Sequence, residues 1–229
     1  MKLSLSLLIV AAFAASAQAQ DPWPQERPDD REQVVINEDG GRSFLVKPSS
    51  VPLRGVVKPG NPVVEELQQH SIFLGSHWAE SAQRSREPQL GSLLANIRDH
   101  AQVDELTQTG IKNLYGATTS QEKLDVTSDR DIGDLEIQGV LAAMFKEGSL
   151  PHPEAGAIYV VYLDPGLQST LGELIGGKHY VAYHGFLNTS GAKIHYAVVP
   201  FQADSKNAYQ TALRALVVAA LNPTGSTSN

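Results

Sequence analysis

Cysteine is absent from the 229 residues. Its absence excludes disulfides, thiolate nucleophiles, iron–sulfur clusters and Cys-ligated zinc. Glycine loops of the GxGxxG or GxxxxGK(S/T) kind are also missing, so the chain carries no phosphate-cradling signal. Neither a GxSxG elbow nor an HExxH pair occurs, which removes the local signatures of a serine hydrolase and a zincin. Basic charge is scarce: 18 Lys and Arg stand against 25 Asp and Glu, a net charge of −7 with His neutral. That balance argues against nucleic-acid binding, because phosphate contacts need a basic footprint. After the first segment no apolar run reaches about 18 residues, so no membrane span is expected.

What is present begins with a three-part leader. Lys2 supplies a short positive region, Leu5 to Ala15 an apolar stretch, and Ala17-Gln18-Ala19 a small-x-small cleavage signal. Residues 1–19 are therefore expected to be a signal peptide and the mature chain secreted or periplasmic. A secreted chain without disulfides must draw its stability from its core.

Four regions follow from the punctuation. After the leader, residues 20–62 read as an extension in which REQVVIN and SFLVK form short strands around Asp39-Gly40-Gly41, ahead of a linker marked by Pro48, Pro52, Pro59 and Pro62. Residues 63–223 read as a single domain, and 224–229 as a polar tail. Within the domain, His70 to Trp78 looks like a strand entering a loop. Leu90, Leu93, Leu94 and Ile97 share one helical face. Leu135 to Lys146 predicts a helix with Leu135, Val140, Leu141, Met144 and Phe145 buried. Ala157 to Leu163 is a continuous apolar run that predicts a central strand covered on both faces. His179–Tyr183 and Lys193–Val199 predict two further strands. A last helix from about Lys206 to Leu221, capped by Ser205, is apolar nearly all round in its second half and belongs in the centre of the fold. The fold class is α/β: a small mixed β-sheet flanked by helices.

Chemistry-bearing residues are sparse. Convergence of His77 and His184 with a carboxylate, Glu80 or Glu173, would make a metal or acid–base site. Asp129, Asp131, Asp134 and Glu136 form an acidic cluster whose spacing is not that of an EF-hand. Its simpler account makes Asp131 or Asp134 a helix cap, with Glu136 stabilising the first turn. Tyr159, Tyr162, Tyr180, Tyr183 and Tyr196 fall in the three late strands. They either pack the sheet or line a carbohydrate or peptide groove.

One resemblance covers the domain. The segments His70–Trp78, Asp134–Gln138, Gly148–Pro151, Gly156–Leu163, Tyr183–Phe186 and Ile194–Phe201 occur in an order that resembles the phosphate-induced, or exordium-like, secreted proteins of plants and their bacterial relatives. The bacterial relatives are in turn similar to zinc peptidases, with a His-Glu-x-x-Glu helix after the aromatic strand, then an acidic residue and Pro. Here Asn222-Pro223 occupies the place after the helix, and counting back puts Arg214, Ala215 and Val218 at the ligand and base positions. Arginine stays protonated and cannot ligate, while alanine and valine offer no lone pair. The resemblance thus implies a zinc-peptidase-like scaffold with a degenerate metal motif, and no metal or other cofactor.

The function expected from these readings is a secreted, non-catalytic binding or cell-envelope-associated protein on a degenerate hydrolase-like scaffold. Its partner would be a polysaccharide, a peptide or an envelope protein. One rival is a metal-dependent hydrolase or peptidase with a non-standard site at His77, His184, Glu80 or Glu173. Another is a structural or assembly protein with an exposed strand.

Overall fold

The computed structural model describes residues 33–36, 41–46, 63–97, 110–113, 118–151, 153–154, 156–189 and 192–223. The expected leader, the Pro-rich linker and the polar tail lie outside the described residues. In chain order the elements are β1 (Gln33–Ile36), β2 (Arg42–Val46), β3 (Gln68–Leu74), a 3-10 turn (Ser76–Ala79), α1 (Ser81–Arg84), α2 (Glu87–Gly91), α3 (Leu93–Ile97), β4 (Thr119–Lys123), β5 (Arg130–Gly133), α4 (Asp134–Lys146), β6 (Ala157–Leu163), β7 (Leu167–Leu171), β8 (Leu174–Ile175), β9 (Ala182–Thr189), β10 (Ala192–Val199) and α5 (Ser205–Leu221).

All seven residues of β6 are buried. A strand can afford that only between two covering layers. It lies inside a seven-stranded sheet of order β1-β2-β9-β10-β6-β3-β4. The strands β10, β6, β3 and β4 run parallel, while β1, β2 and β9 join antiparallel. Side chains alternate across the pleat. Ile158, Val160 and Tyr162 meet α2, α3 and α5, whereas Tyr159, Val161 and Leu163 meet α4 and the small sheet β5-β7-β8. The chain is thus a mixed α/β fold with a central sheet flanked by helices.

Several expectations need correction. The strands of the N-terminal extension are not separate from the main unit: β2 pairs with β9 in the central sheet, and Phe44, Leu45 and Val46 are buried. The second late strand begins at Ala182 rather than His179 and runs on through His184 to Thr189. The helical face around Leu90 is divided between α2 and α3, with Leu90, Leu93 and Leu94 buried. On α4 the inward face is Asp134, Ile137, Leu141 and Met144, and Leu135 is 42 % exposed. The i, i+3, i+7 phase set by Asp134 turns position 135 outward. The cap of α5 is Asp204, whose side chain accepts from the Asn207 amide at 2.7 Å. Ser205 is already the first helical residue.

The second half of α5 is buried all round: Ala212, Ala215, Leu216, Val217 and Ala220 have no exposed surface. Replacing Leu216 by Ala should lower unfolding stability by about 2–5 kcal/mol in urea titrations. Leu135→Ala, on the exposed side of α4, should stay within about 0.5 kcal/mol.

Candidate functional site

In open α/β sheets, ligands bind beyond the carboxyl ends of the strands, where neighbouring connections leave in opposite directions. That point here lies between β3 and β6. The chain leaves β3 toward β4 and leaves β6 toward β10, on the other side. At this crevice β3 ends in Gly75-Ser76-His77 and β6 ends in Asp164.

Asp164 is fully buried and organises the crevice. Its Oδ2 accepts from the His77 backbone amide at 2.7 Å and from the Ser128 hydroxyl, and its Oδ1 accepts from the Gly166 amide at 2.9 Å. Ser128 in turn accepts from the Ser76 hydroxyl at 3.0 Å. Gly75 is required at the joint. Its φ is +118°, and a Cβ built there would overlap the Asp164 carboxylate. The His77 ring lies above: Nδ1 is 2.6 Å from Glu80 Oε1 and Nε2 is 3.4 Å from Asp129 Oδ2. The bond to Glu80 is the largest of the influences that raise its pKa. The Ser76 hydroxyl therefore donates to Ser128 and not to an imidazole, so the constellation lacks the serine–base contact of nucleophilic catalysis.

His77 and Glu80 thus meet as expected, but His184 does not join them. Its register partners run through Ala197 and Val160 to Ser71, in the middle of β3. Two strands intervene, placing it about 14 Å away across the sheet. His184 is fully buried, on the α5 face, stacked on Phe44 at 5.1 Å. Glu173 is exposed in the β7–β8 turn, on the small sheet that covers the opposite face. The five tyrosines are at most 2 % exposed and pack the sheet instead of lining a groove. Tyr196 and Gln138 bond the buried Asp134 carboxylate at 2.8 Å, and the Ser43 hydroxyl reaches it at 3.2 Å. Burial, then the Asp134 charge, holds the Tyr183 phenol well above the usual tyrosine range. Asp134 is therefore a buried hub and not a cap; the residue before the helix is Gly133. Glu136 pairs with Arg130 at 2.9 Å.

On α5, Ala215 and Val218 are buried against the sheet and Arg214 is half-buried. Among the described residues no group of three or more His, Cys, Asp or Glu is placed to hold a metal ion, and no helix is long and apolar enough to cross a membrane.

A second concavity opens at the amino ends of β6 and β10. It is a cleft of about 520 Å³. Val64, Pro153 and Pro223 give it apolar walls, and Glu65, Glu66, Glu154 and Lys193 stand exposed around it. His195 is half-buried in its lining; burial lowers the pKa of the ring, opposed by the Pro223 backbone. Sequence reasoning missed this cleft, because its charged residues come from three separate loops and strand ends. It missed Asp164 too, although a carboxylate closing the most apolar strand, just before Pro165-Gly166, was a readable signal.

No family model, curated protein or solved structure matches the chain.

One prediction comes from the Gly75 joint and one from a shifted carboxyl elsewhere on the α5 side. Gly75→Ala should destabilise the fold by at least about 1–3 kcal/mol in urea titrations, the worth of a glycine-only backbone conformation. The second concerns Glu87 on α2, whose pKa is pushed up to about 7 by burial and then by the nearby Glu122 carboxylate. The fold favours its protonated form, so its contribution is full below about pH 4.5 and is lost as pH rises through about 7. Glu87→Gln should accordingly melt above the parent at about pH 8, and the difference should vanish near pH 4.5.

Proposed function

We propose that the mature chain is a secreted, non-catalytic binding protein of the cell envelope, built on an exordium-like scaffold, and that it holds a basic peptide segment in the cleft beside Pro223. The observation that carries this reading is the make-up of the cleft. Three glutamates and one lysine surround apolar walls, which suits an extended chain with a lysine or arginine side chain. Some of that charge is already engaged: Glu65 pairs with Lys112 at 2.7 Å, and Glu154 accepts from Gln68 at 3.3 Å. Lys193 is drawn aside over the Phe186 ring, 4.2 Å from its centre, which lessens its opposition to a cation.

The last helix supports the non-catalytic half of the reading. At the positions where the resemblance expects ligands, Ala215 and Val218 are methyl-bearing core residues. Both nitrogens of His77 face carboxylates, so that ring has no lone pair directed at a substrate.

The test is calorimetric titration of the full mature chain with a short Lys/Arg peptide and with a neutral oligosaccharide. Saturable peptide binding is expected, weakened by salt and lowered roughly tenfold by combined Glu66→Gln and Glu154→Gln, the loss of about 1.4 kcal/mol. Oligosaccharide binding that ignores the double substitution would overturn the peptide assignment in favour of a polysaccharide. Cleavage of the peptide would overturn the non-catalytic reading in favour of a hydrolase.

A further inference from the structure

The crevice between the carboxyl ends of β3 and β6 is crossed by one side chain. His77 touches Glu80, three residues along and just past its own 3-10 turn, and Asp129, 52 residues away in the segment that joins β4 to β5. A neutral imidazole carries a single N–H, so it can donate to one carboxylate only. Holding both at once requires the protonated ring. The closer contact, to Glu80 at 2.6 Å, keeps the single proton when the ring is neutral. The contact that protonation adds is the long-range one, to Asp129.

Every charged group found to act on the ring is acidic. Glu80 faces it from the end of the 3-10 turn, where it caps Ser76–Ala79, Asp129 from the β4–β5 segment and Asp164 from the end of β6. Asp129 itself has φ +61°, the sole non-glycine residue in the left-handed region among the described residues. Such a conformation persists where its surroundings hold it. The same segment is also bonded at Ser128, which accepts from the Ser76 hydroxyl and donates to the buried Asp164 carboxylate.

We propose that His77 is a proton-operated strap that holds the β4–β5 segment across the crevice between the carboxyl ends of β3 and β6. With the ring charged, Asp129 is tied to the 3-10 turn. With the ring neutral, the Nε2 lone pair faces the Asp129 carboxylate, the tie becomes a repulsion, and the segment is left to its bonds through Val126 and Ser128. The device is independent of the peptide cleft, which lies at the opposite end of the strands.

The sign is fixed by the direction of the shift. The bonds to Glu80 and Asp129 raise the ring's pKa above 6.5, so the strap is complete below that value and lost as pH rises through the raised one. The experiment is an NMR titration of the His77 ring in the full mature chain, joined to amide exchange at Ser76 and Arg130. Those amides donate to Val126 and Gly166 on either side of the strap. The ring should titrate above 6.5, and the protection factors of both amides should fall at least roughly threefold across the same interval, as local opening becomes easier. In Asp129→Asn the ring should titrate lower and the protection step should disappear, with the fold retained. Titration at or below 6.5, or an equal protection step in Asp129→Asn, would overturn the proposal.

Discussion

Burial of β6 on both faces is the constraint on which the rest depends. A cysteine-free chain has no covalent brace, so the seven apolar residues of this strand must be covered by side chains from two layers. One layer is α4 with the small sheet; the other is α5 with α2 and α3. The cover over the second face has to be apolar around nearly its whole circumference, because α5 packs on the sheet and also against α2 and α3. That demand reaches Ala215 and Val218. The same packing that stabilises the sheet leaves no room on the helix for a ligating carboxylate.

Polar groups are therefore pushed to the ends of the strands or tied into closed networks. Asp164 and Asp134 are both buried carboxylates, and each is met by several donors, as burial of charge requires. Asp164 locks the carboxyl end of the sheet, drawing in the β3 turn and the Ser128 loop. Among the described residues the amino end has no such buried carboxylate. There the chain enters β3 and β6 through exposed glutamates, and the end of α5 closes on Pro223 with a cleft left between. A latched end and an open end follow from where the buried charge sits. They give the molecule two surfaces with different chemistry on one rigid sheet.

Much of this was legible in the sequence, and the exceptions have physical causes. The strand β6 and the apolar half of α5 declare themselves because burial dictates nearly every residue in them, and α4 because one face of it is buried. The strand β4 was invisible: TSQEK is an edge strand with only partial burial at its ends, so no alternation marks it. β9 was misplaced because Gly177-Lys178-His179 forms a turn before the apolar pattern begins, and because Gly185 interrupts that pattern. Gly185 is there for a tertiary reason: a Cβ would press on the Tyr196 hydroxyl and the Arg42 carbonyl. The contact of His77 with Glu80 is local in sequence and was within reach. Whether His77 and His184 converge depends on strand order, which no local pattern encodes.

The packing around α5 decides whether a metal motif could stand on it. Suppose His were placed at 214 and Glu at 215 and 218. Positions 215 and 218 are 0 % and 5 % exposed, among Leu216, Val217 and the apolar face of β10. A carboxylate entering there without a counter-charge would have to shed its water, at a cost of several kcal/mol. A metal could offset that cost only with further ligands from the sheet. The strand positions in the facing core are Ala182, Ala197 and Val199, with His184 stacked on Phe44. Ala215 and Val218 belong to one packed unit with Ala182, Ala197 and Val199, and a carboxylate introduced at either helix position would break that unit from within.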